Sequence, residues 1–315
     1  MPIAAILGGP TASGKSALAL RWARARGFEI ISADSRQLYR GFAIGTGAPT
    51  SEEQALVPHH LVGHTDPREA FSPQRFRAEA QSIVASHPEK SFLVVGGTGL
   101  YLKEWICPST SAPEEPGSVF NMPAEIRAAA ENAILERGGA AVHADLSAKD
   151  PGGMEGVAPQ DLYRIQKRLE NWLLTGKSYV RTPQQTVVNP LFEKAPFLWL
   201  DPDRASLHKN IETRVRDMFT QGWVDEVRGL QRLYAPDTTP AFNALGYREI
   251  ATEGPSETLV QKILARTRQY AKKQTTFFRN QFAGGRGPAA VAISPEDLAR
   301  RLESADWEVK SIFPK

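Results

Sequence analysis

Cysteine is almost missing from this chain. The single Cys107 rules out an internal disulfide and fits a reducing compartment. The six scattered histidines, with that one cysteine, offer no zinc-ligand spacing. Apolar runs are no longer than a strand, which excludes a membrane-spanning helix. The N-terminus lacks a basic segment followed by a long apolar one, so the cytoplasm is the expected location. Internal repeats are lacking too. Acidic residues are missing from 262–286, where Lys262, Arg266, Arg268, Lys272, Lys273, Arg279 and Arg286 fall, although the formal net charge is only +3. Such a basic cluster is the footprint of a polyanion partner or, more blandly, a solvated helix face. The remaining composition, 41% hydrophobic and 23% charged, is that of a soluble globular protein with ample core material in one large domain or two smaller ones.

One stretch organises the rest. Gly9, Pro10, Thr11, Ala12, Ser13, Gly14, Lys15 and Ser16 fit G-x-x-x-x-G-K-[ST], the loop whose backbone N–H groups cradle phosphate. Ile3-Ala4-Ala5-Ile6-Leu7 before it reads as a buried strand, and residues 16–25 after it read as a helix. That helix adds its positive dipole end. Lys15 then brings a full charge to the anion, and the Ser16 hydroxyl is placed for Mg²⁺.

Strands are expected at 28–33, 91–95 and 197–200, with helices at 72–85, 100–106, 124–137 and 160–174. Their alternation predicts an α/β fold with a parallel sheet, whose ligands sit at the carboxyl ends of the strands. Asp34, Thr98 and the phosphate loop all fall at that edge. The stretch 41–73 reads as loose, and a Pro/Gly-rich loop is expected between the 124–137 and 160–174 helices. The Pro/Ser/Glu-rich run 107–123 reads as a linker. Residues 1–119 and 191–315 form the predicted core, with 120–190 a mostly helical insertion. Leu207, Ile211, Val215 and Met218 mark an amphipathic helix. A further helix from about Ser256 carries Leu259, Ile263, Tyr270 and Phe277 on its core side. The last thirty residues look like a plain tail.

The ordered set of motifs resembles one family. The phosphate loop is followed by Asp34-Ser35 with Gln37 and Tyr39, Ile44-Gly45-Thr46, Pro58-His59-His60-Leu61 and Gly96-Gly97-Thr98-Gly99-Leu100-Tyr101. Gly246-Tyr247-Arg248-Glu249 and Thr267-Arg268-Gln269-Tyr270-Ala271-Lys272-Lys273-Gln274 come later. Together, over about residues 3–282, they resemble tRNA dimethylallyltransferases. The chain departs from that pattern at Ala48, at Lys273 and at Phe277, and it has Lys167-Arg168-Leu169-Glu170 in the insertion.

The resemblance implies a fold like that of nucleotide kinases but a different reaction. A dimethylallyl group would pass from dimethylallyl diphosphate to the N6 amine of the adenosine 3′ to the anticodon, releasing pyrophosphate, with Mg²⁺ as cofactor. The enzyme would be a monomer away from membranes. The phosphate loop would hold the diphosphate, with Lys15, Asp34, Thr98 and Arg214 catalytic. RNA contacts would come from Asp34, Ser35, Arg36 and Gln37, from Thr98, and from Arg127 in the insertion. Tyr163, Arg164, Ile165, Gln166 and Lys167 would add to these, as would Asn243, Ala244, Leu245, Gly246, Tyr247 and Arg248. Lys272, Lys273, Gln274 and Arg279 would complete the set.

Several residues keep more than one reading. Asp34 is a general base, an Mg²⁺-linked carboxylate or a helix cap. Thr98 is a substrate contact or a cap. The pair His59-His60 reads as loop structure. Other functions remain in view: an adenylate isopentenyltransferase acting on free nucleotide, a phosphate-loop RNA-binding module without transfer activity, and a kinase.

Overall fold

A computed structural model describes residues 2–108, 122–176, 178, 188–282 and 290–304. The chain divides into two compact units, one of residues 1–108 with 186–315 and one of residues 109–185. In chain order the first unit opens with β1 (Ile3–Gly8), α1 (Lys15–Arg26), β2 (Glu29–Ser32), α2 (Ser51–Leu56) and β3 (His59–His60). It continues with α3 (Pro73–Ser86), β4 (Phe92–Gly96) and α4 (Gly99–Ile106). The second unit supplies α5 (Ala124–Arg137), α6 (Gly139–Lys149) and α7 (Leu162–Thr175). The first unit resumes with β5 (Phe197–Leu200), α8 (Arg204–Thr220), α9 (Trp223–Gln231), α10 (Tyr247–Glu253) and α11 (Glu257–Phe282). It ends with β6 (Ala290–Ile293) and α12 (Pro295–Leu302).

The six strands form one parallel sheet in the order β3-β2-β4-β1-β5-β6. Alternate residues of each strand feed two separate cores. Ile3, Ile6, Ile31, Phe92, Val94, Phe197 and Trp199 face one side with residues of α3, α4, α8 and α11. Ala5, Leu7, Ile30, Leu93, Val95, Leu198 and Leu200 face the other, against α1 and α12. Burial on both faces is why these strands read as unbroken apolar runs. Register fixes the working edge: Gly8 lies opposite Gly96, and Ser32 opposite Val95, so three strand ends stop together.

Local signals set the helix ends. Gly14, at φ +82°, turns the loop into α1 without a Cβ to strain that left-handed turn. Ser72 accepts from the Arg75 N–H, with Pro73 opening α3. Asp203 accepts from the Ala205 and Ser206 N–H groups at the start of α8. Among the described residues no helix is long and apolar enough to cross a membrane.

The structure corrects four expectations. The stretch 41–73 holds α2 and β3, and His59-His60 is an edge strand paired with Ile30-Ile31 rather than loop. Two residues carry no periodicity, so only pairing defines that strand. The loop expected between the insertion's helices contains α6, whose Val142 and Leu146 are buried one turn apart. The plain tail instead supplies β6, which pairs with β5, and α12, capped by Ser294. On α11 the buried arc runs through Thr267, Ala271, Gln274 and Phe278, whereas Tyr270 is 38% exposed. Steps of seven residues drift about 20° each on a straight helix, which carries Tyr270 and Phe277 to the edge of that arc. Of the run read as a linker, 109–121 lies outside the described residues, as do Arg286 and 305–315.

Candidate active site

The phosphate loop is tied down from three directions. Its Ser13 N–H donates to the Pro10 carbonyl at 3.3 Å, the Lys15 ammonium donates to that carbonyl at 3.2 Å, and the Asn210 amide donates to the Ala12 carbonyl at 3.3 Å. Gln274 joins two strand ends: its Oε1 accepts from Thr11 N–H at 2.8 Å, and its Nε2 donates to the Gly97 carbonyl at 2.8 Å. Ala12 is held at φ +59°, the kind of backbone that clusters at ligand loops. Gly9, Pro10, Ala12 and Ser13 are buried, leaving Gly14 and Ser16 exposed and Thr11 and Lys15 half-buried.

At the ends of β2 and β4 the two uncertain side chains find partners. Asp34 Oδ1 accepts from the Arg36 N–H at 2.9 Å, closing a local turn; no helix starts there, so it is not a helix cap. Thr98 precedes α4 without capping it. Its Oγ1 instead accepts from the Ser35 N–H at 3.0 Å and lies 3.3 Å from Ser35 Oγ, which fastens the turn carrying Asp34.

Arg214 reaches in from α8, half-buried, and donates to the Thr46 carbonyl at 3.2 Å. Gln37 accepts from Ser32 Oγ at 3.0 Å and donates to the Gly47 carbonyl at 2.9 Å. At Gly47 a side chain would force a neighbour to move. Its φ is +59°, and a Cβ there would fall 2.0 Å from Arg214 Nη2.

Two chambers meet at these groups. The larger, about 300 Å³, lies along α1 and β2 and includes Ala12, Gly14, Gly47, Pro49 and His59. The smaller, about 90 Å³, lies toward α9 and α11 and includes Thr11, Trp223, Ala244, Tyr270 and Gln274. Lys15, Ser16, Asp34, Gln37 and Arg214 line both. Burial lowers the Lys15 pKa to about 8, Arg214 pushes it the same way, and Asp34 partly offsets them. Burial also depresses Arg214, again against the pull of Asp34. Two crowded cations with one carboxylate leave an excess of positive charge, which a bound anion relieves.

The residues expected on RNA scatter more widely. Lys272 and Lys273 are exposed on α11, whereas Arg279 pairs with Asp201 at 3.1 Å. Lys262 pairs with Glu253 and Arg266 with Glu249, so much of the basic run is answered by acids of other elements. Asn243 is exposed, and Arg248 donates to the Asp237 carbonyl at 3.4 Å. In the second unit Arg127 is half-buried, Arg164 pairs with Asp161, and Gln166 and Lys167 are both spent on the fully buried Glu170. The Tyr163 side chain lies outside the described residues.

Some RNA expectations need correction. Ile165 and Tyr247 are 0% exposed, and Gln274 spends both ends of its amide on the phosphate loop and Gly97. These side chains pack or position instead of offering an RNA surface. Gly246 and Ala244 are buried as well, with Ala244 at the wall of the smaller chamber. Sequence reasoning missed Tyr270 as a site residue by assigning it to the core. It stands at the mouth of the smaller chamber with its hydroxyl turned toward Thr98, and burial, then Asp34, pushes it up to about 12. It missed Trp223 and Glu226 altogether.

A parallel α/β sheet with a phosphate-loop motif at its central strand, two neighbouring cations and a strand-end carboxylate places the chain in the phosphate-loop α/β fold class. The sequence description "IPP transferase" matches residues 37–281. The tRNA dimethylallyltransferase of Anaeromyxobacter dehalogenans is 38% identical over 94% of this chain and 96% of its own. The full-length tRNA isopentenylpyrophosphate transferase of Bacillus halodurans is 28% identical in its crystal structure, covering 96% of this chain and 93% of that one, with a TM-score of 0.63. A eukaryotic dimethylallyltransferase acting on tRNA, 23% identical, shares the fold at a TM-score of 0.78 over 100% of this chain and 81% of its own. The chain belongs to the IPP transferase family of prenyl-transferring enzymes, as its motifs led one to expect.

Proposed function

We propose that the protein transfers a dimethylallyl group from dimethylallyl diphosphate to the exocyclic N6 amine of the adenosine 3′ to the anticodon in tRNA. The observation that carries this reading is the set Lys15, Ser16, Asp34, Gln37 and Arg214, which faces both chambers at once. Such a set can hold an anion on one side and meet an acceptor on the other. The names of the relatives, which act on tRNA, support the same acceptor.

In the reaction the amine nitrogen forms a bond to the allylic carbon. The carbon–oxygen bond to the diphosphate breaks, and pyrophosphate leaves with the electron pair. Charge gathers on that leaving group, where Lys15, Arg214 and the loop N–H groups stabilise it. Asp34 takes the amine proton, held in place by its own turn and by the Thr98–Ser35 contact. The donor set fits Mg²⁺: a loop hydroxyl on Ser16 and the Asp34 carboxylate line one chamber, and a hard cation that keeps several waters needs few protein oxygens. When bound, the ion would add positive charge beside the phosphate oxygens. Exposed Lys272 and Lys273 are free to meet the RNA backbone.

Mass spectrometry of nucleosides from bulk tRNA, incubated with the protein, Mg²⁺ and dimethylallyl diphosphate, tests this. N6-dimethylallyladenosine should appear in tRNA. A prenylated free nucleotide in a parallel reaction, with unmodified tRNA, would move the assignment to a small-molecule transferase. Phosphate transfer from ATP without prenyl transfer would make it a kinase.

A further inference from the structure

Glu226 on α9 is an acid that neither chamber includes, yet it holds the wall that both share. Its Oε2 accepts from the Ile44 N–H at 2.8 Å and the Ala43 N–H at 3.1 Å. Its Oε1 accepts from the Tyr247 hydroxyl at 2.6 Å, with the Gly45 N–H at 3.4 Å. One side chain thus gathers donors from the loop 43–47 and from α10. Trp223, one turn earlier on α9, forms the floor: a Cβ at Gly45 would fall 2.0 Å from its Nε1. Bonded to Glu226 and packed against Trp223 of the same helix, the loop presents its carbonyls at a fixed height. The Thr46 carbonyl takes Arg214, and the Gly47 carbonyl takes Gln37.

We propose that Glu226 is a positioning residue of the diphosphate site, acting through loop 43–47 on Arg214 and Gln37. Charge-assisted bonds of this kind are short and strong, and losing the acceptor frees several backbone donors at once. Tyr247 belongs to the same device, because its buried hydroxyl braces the carboxylate from α10. The proposal rests on the reading that the phosphate loop is the anion site.

The test is calorimetry of pyrophosphate binding to the full chain, with melting temperature, donor KM and kcat, and tRNA affinity as companions. Glu226→Gln keeps the size but turns one oxygen into an N–H₂ that faces other donors. Pyrophosphate affinity should weaken about tenfold, the scale of one misplaced charged contact, and donor KM should rise with it. Melting temperature should fall by no more than a few degrees, from the donors left facing the amide, and tRNA affinity should hold. In an Arg214→Ala background the same substitution should cause little further loss, because the two act in series. Tyr247→Phe, a milder variant, should weaken pyrophosphate about two- to threefold. Unchanged pyrophosphate affinity in a folded Glu226→Gln or Tyr247→Phe protein overturns the role, as does full additivity with Arg214→Ala. Lys15→Ala separates the two levels. Lost binding in Lys15→Ala with no effect at Glu226 defeats only the positioning role, whereas intact binding in Lys15→Ala defeats the anion-site reading beneath it.

Discussion

Two loops wall the site, and they are built on different plans. The phosphate loop is governed by its own sequence: its glycines, its lysine and the helix that follows sit within eight residues, with Gln274 as an outside brace. Loop 43–47 closes a turn of its own, with the Gly47 N–H on the Ile44 carbonyl and Thr46 Oγ1 on the Phe42 carbonyl, but it is braced in place by distant residues, Glu226, Trp223 and Arg214, together with Gln37. A loop that carries its own conformation can be read from sequence. Braces from distant residues such as Glu226 and Arg214 leave no signal in a loop's own sequence.

The comparison is sharpest at Asp34, which stands between the loops. Asp34→Asn keeps the shape but cannot take a proton, so the single-turnover rate should fall ~10²–10⁴-fold while tRNA affinity stays near normal. A rate within about threefold of wild type, only ~0.7 kcal/mol of barrier, would remove the base assignment. Next in size is Lys15→Ala, which takes the charge from the phosphate loop together with the bond to the Pro10 carbonyl. A loss of ~10²–10³ in rate is expected for one such electrostatic contact. If the rate survives, the self-contained loop is not where charge is stabilised.

Gly47→Ala attacks the other loop. The new methyl group meets the Arg214 guanidinium and adopts a left-handed backbone, so the loop or the arginine must shift. About a tenfold to hundredfold rise in donor KM is expected, with kcat less affected. Kinetics unaffected by this change would mean that loop 43–47 plays no part.

A smaller effect follows from pH. A bound anion favours charged Lys15, whose pKa in the free protein is about 8. Pyrophosphate affinity should therefore fall as pH rises through 8, by up to about tenfold between pH 7 and 9. Calorimetry across that range should show the fall in the native protein; an affinity flat from pH 7 to 9 would remove Lys15 as the titrating group. Smallest is the effect of Lys272→Gln with Lys273→Gln, outside both loops. Each lost phosphate contact should lower the salt slope of tRNA binding by about 0.7–0.9 and leave pyrophosphate untouched. An unchanged slope would make this face of α11 merely solvated.

Much of the sheet was legible because its signals are local: β1, β4 and β5 are unbroken apolar runs that end at glycine or aspartate. β6 and α12 carried signals too, a four-residue apolar run and Ser294-Pro295 at a helix start, but short elements near a chain end are easily passed over. β3 had none. On α11 the positive charges were plain, while the acids that answer Arg266 and Arg279 lie on α10 and just past β5. At the site, the family resemblance pointed to Arg214, and its bond to the Thr46 carbonyl came from tertiary packing. Glu226 looked like any surface acid on an amphipathic helix, since its partners lie more than 180 residues away for the loop.

The outermost strand has a consequence for the integrity of the chain. β6 occupies the open flank of β5 along Phe197, Leu198, Trp199 and Leu200, while Ile293 and Leu298 close over Leu198 and Leu200. If residues after Phe282 were trimmed, β5 would become a bare sheet margin with its backbone N–H and C=O groups unmatched and an apolar face uncovered. Margins of that kind recruit strands from other copies. Residues 290–302 therefore cover the apolar flank of β5, with β6 taking over as the sheet margin, a structural task separate from the site.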